Sequence, residues 1–172
     1  MIKLSAMALV LLGCGYLGIL FASSYKRRVS QLTEFGQVLH QLEFDIDFLN
    51  IPLAESLEKI SKNCSGGVRD IIFYVKERLT NDRCIDMQKI WERGFVRFRE
   101  EIFLSIEDQK ILTDFAKNLG AGDRNSEKNN IKMTTARLKI AEEEAREIAK
   151  TNVRMYRGLG ILAGVFIVIV LI

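Results

Sequence analysis

Apolar residues recur at alternating steps of three and four along most of the chain. From about Val29 to Leu49 they are Leu32, Phe35, Leu39, Leu42, Ile46 and Leu49, a coiled-coil-like seam that predicts a helix. Glu43 and Asp45 flank that seam, and His40 falls off it as a solvated residue. Pro52 suits a first helical turn, and Leu53, Leu57 and Ile60 predict a short helix ending before Gly66-Gly67. Val68, Ile71, Ile72, Val75 and Leu79 predict a third helix, with Asn81-Asp82 turning the chain after it. Asp86 is placed to cap a fourth carrying Ile90, Trp91, Phe95 and Phe98, which Gly94 should weaken by up to ~1 kcal/mol relative to Ala. Ser105 and Asp108 resemble a capping box with Asp in place of Glu, opening a helix through Ile111, Leu112, Phe115 and Leu119 that stops at Gly120.

The longest periodic stretch follows Gly120-Ala121-Gly122-Asp123. Ile131, Thr134, Leu138, Ala141, Ala145, Ile148, Asn152 and Met155 keep the spacing, and nothing breaks it before Gly158. A helix from about Arg124 to Ile172 would measure roughly 75 Å at 1.5 Å per residue. Ala141 and Ala145 permit a close neighbour, expected to be the first long helix. Glu142-Glu143-Glu144 with Lys139, Arg146 and Lys150 reads as a solvated face with weak local ion pairs.

Both ends depart from this alternation. Residues 4–25 and 158–172 contain no Asp, Glu, Lys, Arg or His, while 27% of the whole chain is charged. Uncharged runs of that length predict membrane helices, which need roughly 20 residues to cross the hydrocarbon core; the second is short and relies on arginine snorkelling. Lys3 stands alone before the first run, whereas Lys26, Arg27 and Arg28 follow it, and Arg154 and Arg157 precede the second. The positive-inside rule then places 26–157 in the cytoplasm. A cleaved signal peptide, with Ala22 and Ser24 near a cut site, is opposed by that basic triplet. The predicted organisation is a transmembrane helix in 1–25, an all-α cytoplasmic bundle of five or six helices in 26–157, and a second transmembrane helix in 158–172. A single proline in 172 residues agrees with a nearly all-helical chain.

The 172 residues allow one ordinary domain, and a net charge of +3 does not argue for nucleic acid. One histidine and three cysteines, without C-x-x-C or H-E-x-x-H spacing, supply no zinc or haem site and no catalytic triad. Cys64 and Cys84 would sit in a reducing compartment as thiols. Gly13-Cys14-Gly15-Tyr16-Leu17-Gly18 matches G-x-G-x-x-G, with Glu34 downstream. The apolar run passes straight through those glycines and no strand follows, so a dinucleotide site is rejected. Cys14, Gly18 and Ala22, and Gly160 with Gly164, instead have the small-residue spacing that lets membrane helices approach closely, within one chain or between copies. No cofactor, metal or small-molecule substrate is expected.

The order of local strings resembles the stage III sporulation protein AB family over essentially the whole chain. These strings are Met1-Ile2-Lys3-Leu4 before the first span, Arg28 with Gln31-Leu32, Leu42-Glu43-Phe44-Asp45-Ile46, Pro52-Leu53, Trp91, Leu119-Gly120 with Asp123-Arg124, and the closing Gly158–Gly164 run. Asp45 stands where the resemblance leads one to expect a longer Glu, and Phe48 where a Tyr is usual. The resemblance implies a membrane subunit of the channel between mother cell and forespore, sited in the mother cell membrane facing the forespore. It is similar to the inner-membrane platform proteins of type II secretion and type IV pilus machines. It implies coupling of a cytoplasmic secretion ATPase to other channel subunits, and no catalytic residues. Glu43, Asp45, Asp123 and Arg124 are the candidate partner contacts. A membrane-anchored regulatory or signalling bundle unrelated to secretion is the alternative.

Overall fold

The computed structural model describes the backbone of residues 2–47, 49, 51–81, 86–119 and 124–171, and the side chains of 23–46, 49, 51–81, 86–119, 125–152 and 155. Its elements are α1 (Ile2–Asp47), α2 (Leu53–Ser61), α3 (Gly66–Asn81), α4 (Met87–Arg97), α5 (Ile106–Lys117) and α6 (Arg124–Leu171). The described residues contain no strand, so the fold is an all-α bundle. Contacts divide the chain at Val29 and Glu144, inside the two long helices. The N-terminal part of α1 and the C-terminal part of α6 form one compact unit, and Ser30–Glu143 forms a second.

Within Ser30–Glu143 every helix contributes a buried stripe. Leu32, Phe35, Leu39 and Leu42 come from α1; Leu57 and Ile60 from α2; Val68, Ile71, Ile72 and Val75 from α3. Ile90, Trp91 and Phe95 come from α4, Leu112 and Phe115 from α5, and Ile131 and Leu138 from α6. The centre is aromatic: Trp91 lies 6.2 Å from Phe35, 6.0 Å from Phe95 and 6.4 Å from Phe115, the last edge-on. Such offset and edge geometries add ≈ 0.5–1.5 kcal/mol per pair beyond area burial.

Polar ties fix the helix ends. Asp86 accepts from the Lys89 amide as the α4 N-cap, and Ser105 and Asp108 close both bonds of the α5 capping box, as their spacing leads one to expect. The Gln31 side chain clamps the α4–α5 connection, donating to the Glu101 carbonyl at 2.7 Å and accepting from the Phe103 amide at 2.8 Å. Thr33 donates to Glu142 at 2.9 Å, tying α1 to α6. Gly66 opens α3 with φ +50°, a left-handed conformation that favours glycine. A Cβ on Gly67 would meet the Glu101 carbonyl and Ile102 Cδ1 at 2.9 Å, so that glycine admits a close crossing.

Two details of the periodic reading are corrected. In α1 the buried stripe runs through Asp45, which has no exposed area, while Ile46 is half-buried and Leu49 is 47% exposed. In α6 the stripe passes through Ala145 and Ala149, leaving Ile148 and Met155 exposed. Both shifts have one cause: a 3.6-residue period lets a stripe step by three or four, and small or hydrogen-bonded residues fit the close contacts better than the neighbouring large ones.

Among the described residues no helix is long and apolar enough to cross a membrane. The side chains of 158–172 and of most of 4–25 lie outside the described residues. Phe48, Asp82, Cys84, Gly120 and Asp123 are outside them altogether.

Candidate docking surface

The expected contact residues separate into distinct environments. Asp45, in the last turn of α1, is an organising ion of the fold rather than a surface carboxylate. Its Oδ2 accepts from the Ser56 hydroxyl at 2.8 Å, and its Oδ1 accepts from Gln41 at 2.7 Å and Lys59 at 3.2 Å. Burial pushes the carboxyl upward, but the bonds from Ser56, Gln41 and Lys59 and the Lys59 charge outweigh it and hold it below its usual range. Lys59 is half exposed, so the buried carboxylate is bonded to a cation that itself reaches solvent. With no accessible area, Asp45 offers no contact to a partner while this arrangement is intact.

Glu43 lies on the neighbouring face, its side chain 20% exposed and 3.9 Å from His40, which is 73% exposed. It is the accessible acid of the pair. Arg124 is the first residue of α6, but its side chain and all of Asp123 fall outside the described residues. The helix it opens lines a groove against α5, with a cavity volume near 500 Å³. Ile111, Phe115 and Met133 supply its apolar part, Asn118, Asn129 and Asn130 its amides, and Asp114 and Arg137 its charges. Met133 is 61% exposed, and Asn130 donates to the Phe115 carbonyl at 3.0 Å, holding the helices together beneath the groove. The loop expected to contact a partner therefore leads into a helix bordering this concave surface. Nothing in the sequence signalled the groove, because α5 and α6 contribute residues that only their crossing brings together.

Among the basic residues after the first uncharged run, Lys26 and Arg27 are exposed and Arg28 is half-buried. The side chains of Arg154, Arg157, Cys14, Gly18, Ala22, Gly160 and Gly164 lie outside the described residues. Among those described, no group of three His, Cys, Asp or Glu is placed to hold a metal ion. Cys64 is a free thiol, and burial together with the Glu34 charge pushes it up to about 11, far from nucleophilic at neutral pH.

What the geometry offers is contact surface: a polar-rimmed groove and a buried ion that sets helix register. The fold places the chain among all-α bundles built on two long helices. The profile of the stage III sporulation protein AB family matches residues 3–172, and the chain belongs to that family. It is 26% identical over 172 residues to stage III sporulation protein AB of Bacillus subtilis (strain 168), covering 99% of both chains. A solved structure of a stage III sporulation protein AB superposes with a TM-score of 0.66 at 22% identity, over 72% of this chain and 97% of that one, which supports the fold.

Proposed function

We propose that this chain is a non-enzymatic membrane scaffold of a sporulation channel complex, linking a cytoplasmic secretion-type ATPase to membrane subunits. In this reading 1–25 and 158–172 are transmembrane helices and 26–157 is the cytoplasmic bundle. Lys26, Arg27, Arg28, Arg154 and Arg157 line the inner interface, where arginine and lysine stems reach the headgroups. The mother cell membrane facing the forespore is the location consistent with the family.

The observation that carries the reading is continuity. α1 and α6 each run without interruption from the bundle into an uncharged terminal run, and those ends cluster into one compact unit. A force applied to the bundle would pass along helices whose backbone hydrogen bonds are satisfied internally, as a bilayer requires. The α5–α6 groove and the adjoining Asp123-Arg124 connection form the docking surface for the ATPase, with Glu43 as a second contact.

A pull-down of the secretion-type ATPase from sporulating cells, using full-length protein in detergent micelles, tests this. Met133→Arg with Arg137→Glu is expected to lower recovery at least tenfold, and Glu43→Lys severalfold, with Trp91 fluorescence unchanged. Undiminished recovery with the groove variant would remove the groove from the account. Failure of the unaltered protein to retain the ATPase would remove the coupling role itself.

A further inference from the structure

The two most exposed large hydrophobic residues among those described flank a single connection. Val96, in the last turn of α4, is 73% exposed, and Ile106, the first residue of α5, is 81% exposed. Scattered apolar residues are ordinary on a protein surface. What sets these two apart is where the bundle holds them. Gln31 of α1 bonds the Glu101 carbonyl and the Phe103 amide between them, and Gly67 brings the start of α3 against Glu101 and Ile102. Next to Gln31 on α1, Glu34 accepts from the Ser65 amide at 2.6 Å and Thr33 donates to Glu142 at 2.9 Å. The α4–α5 connection, the start of α3 and Glu142 of α6 therefore share the end of the bundle at which α1 enters it.

That end has a defined level on α1. Gln31 follows Lys26 by five residues, about 8 Å along a helix at 1.5 Å per residue. With 4–25 in lipid, this offset matches the polar layer on one side of a bilayer, roughly 5–8 Å deep. Side chains on a helix tilt toward its N-terminus, so Ile106 at the start of α5 points off this end of the bundle. Arg99, Glu100, Glu101 and Glu107 are exposed around it. Charges of both signs stay hydrated among headgroups but not in hydrocarbon, which confines the contact to the interfacial layer.

We propose that the α4–α5 connection is a second, peripheral membrane contact, seating Ile106 and Val96 among the headgroups of the bilayer that α1 enters. The inference rests on the reading of 1–25 as a membrane helix and adds to it a surface that fixes the bundle's tilt. Gln31 is the residue that holds the connection at that level.

Quenching by spin-labelled lipid tests it on the full chain in vesicles of phosphatidylethanolamine and phosphatidylglycerol. With Cys14, Cys64 and Cys84 changed to Ser, a bimane is attached at Ile106→Cys, at Val96→Cys, or at Lys117→Cys near the far end of α5. Lipid carrying a nitroxide on its headgroup should quench the bimane at 106 at least fourfold more than at 117, with 96 between them. Adding Gln31→Ala should reduce the excess at 106 at least twofold while the label at 117 is unchanged. Equal quenching at 106 and 117 in chains that float with the vesicles would overturn the proposal and leave the membrane helices standing. Failure of the unlabelled chain to float would overturn the membrane reading, and the proposal with it.

Discussion

Replacing Asp45 by Ala probes a buried carboxylate that joins α1 to α2. The Ser56 hydroxyl, with no exposed area, would lose its acceptor at 2.8 Å, and an unmet buried donor costs ≈ 1–3 kcal/mol. The half-exposed Lys59 recovers water, so its share is that of a surface ion pair, ≈ 0–1 kcal/mol. Gln41 is likewise partly solvated. The sum is about 1–4 kcal/mol, carried mainly by Ser56. Trp91, the single tryptophan and 1% exposed, reports unfolding of the bundle directly. Urea titration of the full chain in detergent micelles, followed by its fluorescence, should show the midpoint falling with the slope unchanged. Adding Ser56→Ala to Asp45→Ala should cost less than Ser56→Ala alone, because the stranded hydroxyl is removed. The pH dependence has a definite sign. The folded carboxyl lies below its ordinary value, so its stabilisation is complete above about pH 4 and fades as pH falls through the lowered folded value. Unaltered protein and Asp45→Asn should therefore converge in acid. A loss under about 0.5 kcal/mol for Asp45→Ala, or strict additivity with Ser56→Ala, would refute the reasoning.

The two α3–α4 glycines should respond with opposite signs. Gly67→Ala drives a Cβ to 2.9 Å from a backbone carbonyl and should destabilise by about 1–3 kcal/mol. Gly94→Ala makes ordinary contacts of 3.5–3.9 Å with Tyr74 and Ile71, and should stabilise α4 by up to about 1 kcal/mol through helix propensity. Urea midpoints compare the pair. For Cys64, with Cys14 and Cys84 changed to Ser, iodoacetamide labelling at pH 8 should run about a hundredfold slower than for an ordinary thiol and keep rising toward pH 11. A plateau below pH 9 would contradict the thiol's environment.

Local signals proved the most legible. The Ser105–Asp108 box and the Asp86 cap depend on residues three apart, so spacing alone specifies them. The six-helix order followed from periodicity and breakers. The burial of Asp45 was not legible, because a charged residue beside a seam normally faces water and two of its three donors come from another helix. Gln31 showed no local motif either, since its partners stand 70 and 72 positions away. Ile148 yielded its place to Ala149 because close helix contact favours the smaller side chain. The α5–α6 groove was invisible for the same reason: it forms where two helices cross, and neither helix carries a motif for it.

The proposed disposition of the chain across a bilayer decides the account. With native cysteines replaced, single cysteines at Lys3 and Lys128 are labelled with a membrane-impermeant maleimide in intact protoplasts of vegetative cells made to express the chain, where its membrane is the cell surface, before and after permeabilisation. The account predicts that Lys3→Cys reacts in intact protoplasts and Lys128→Cys only once they are opened. Labelling of Lys128→Cys from outside, or recovery of the chain in the soluble fraction, would contradict it.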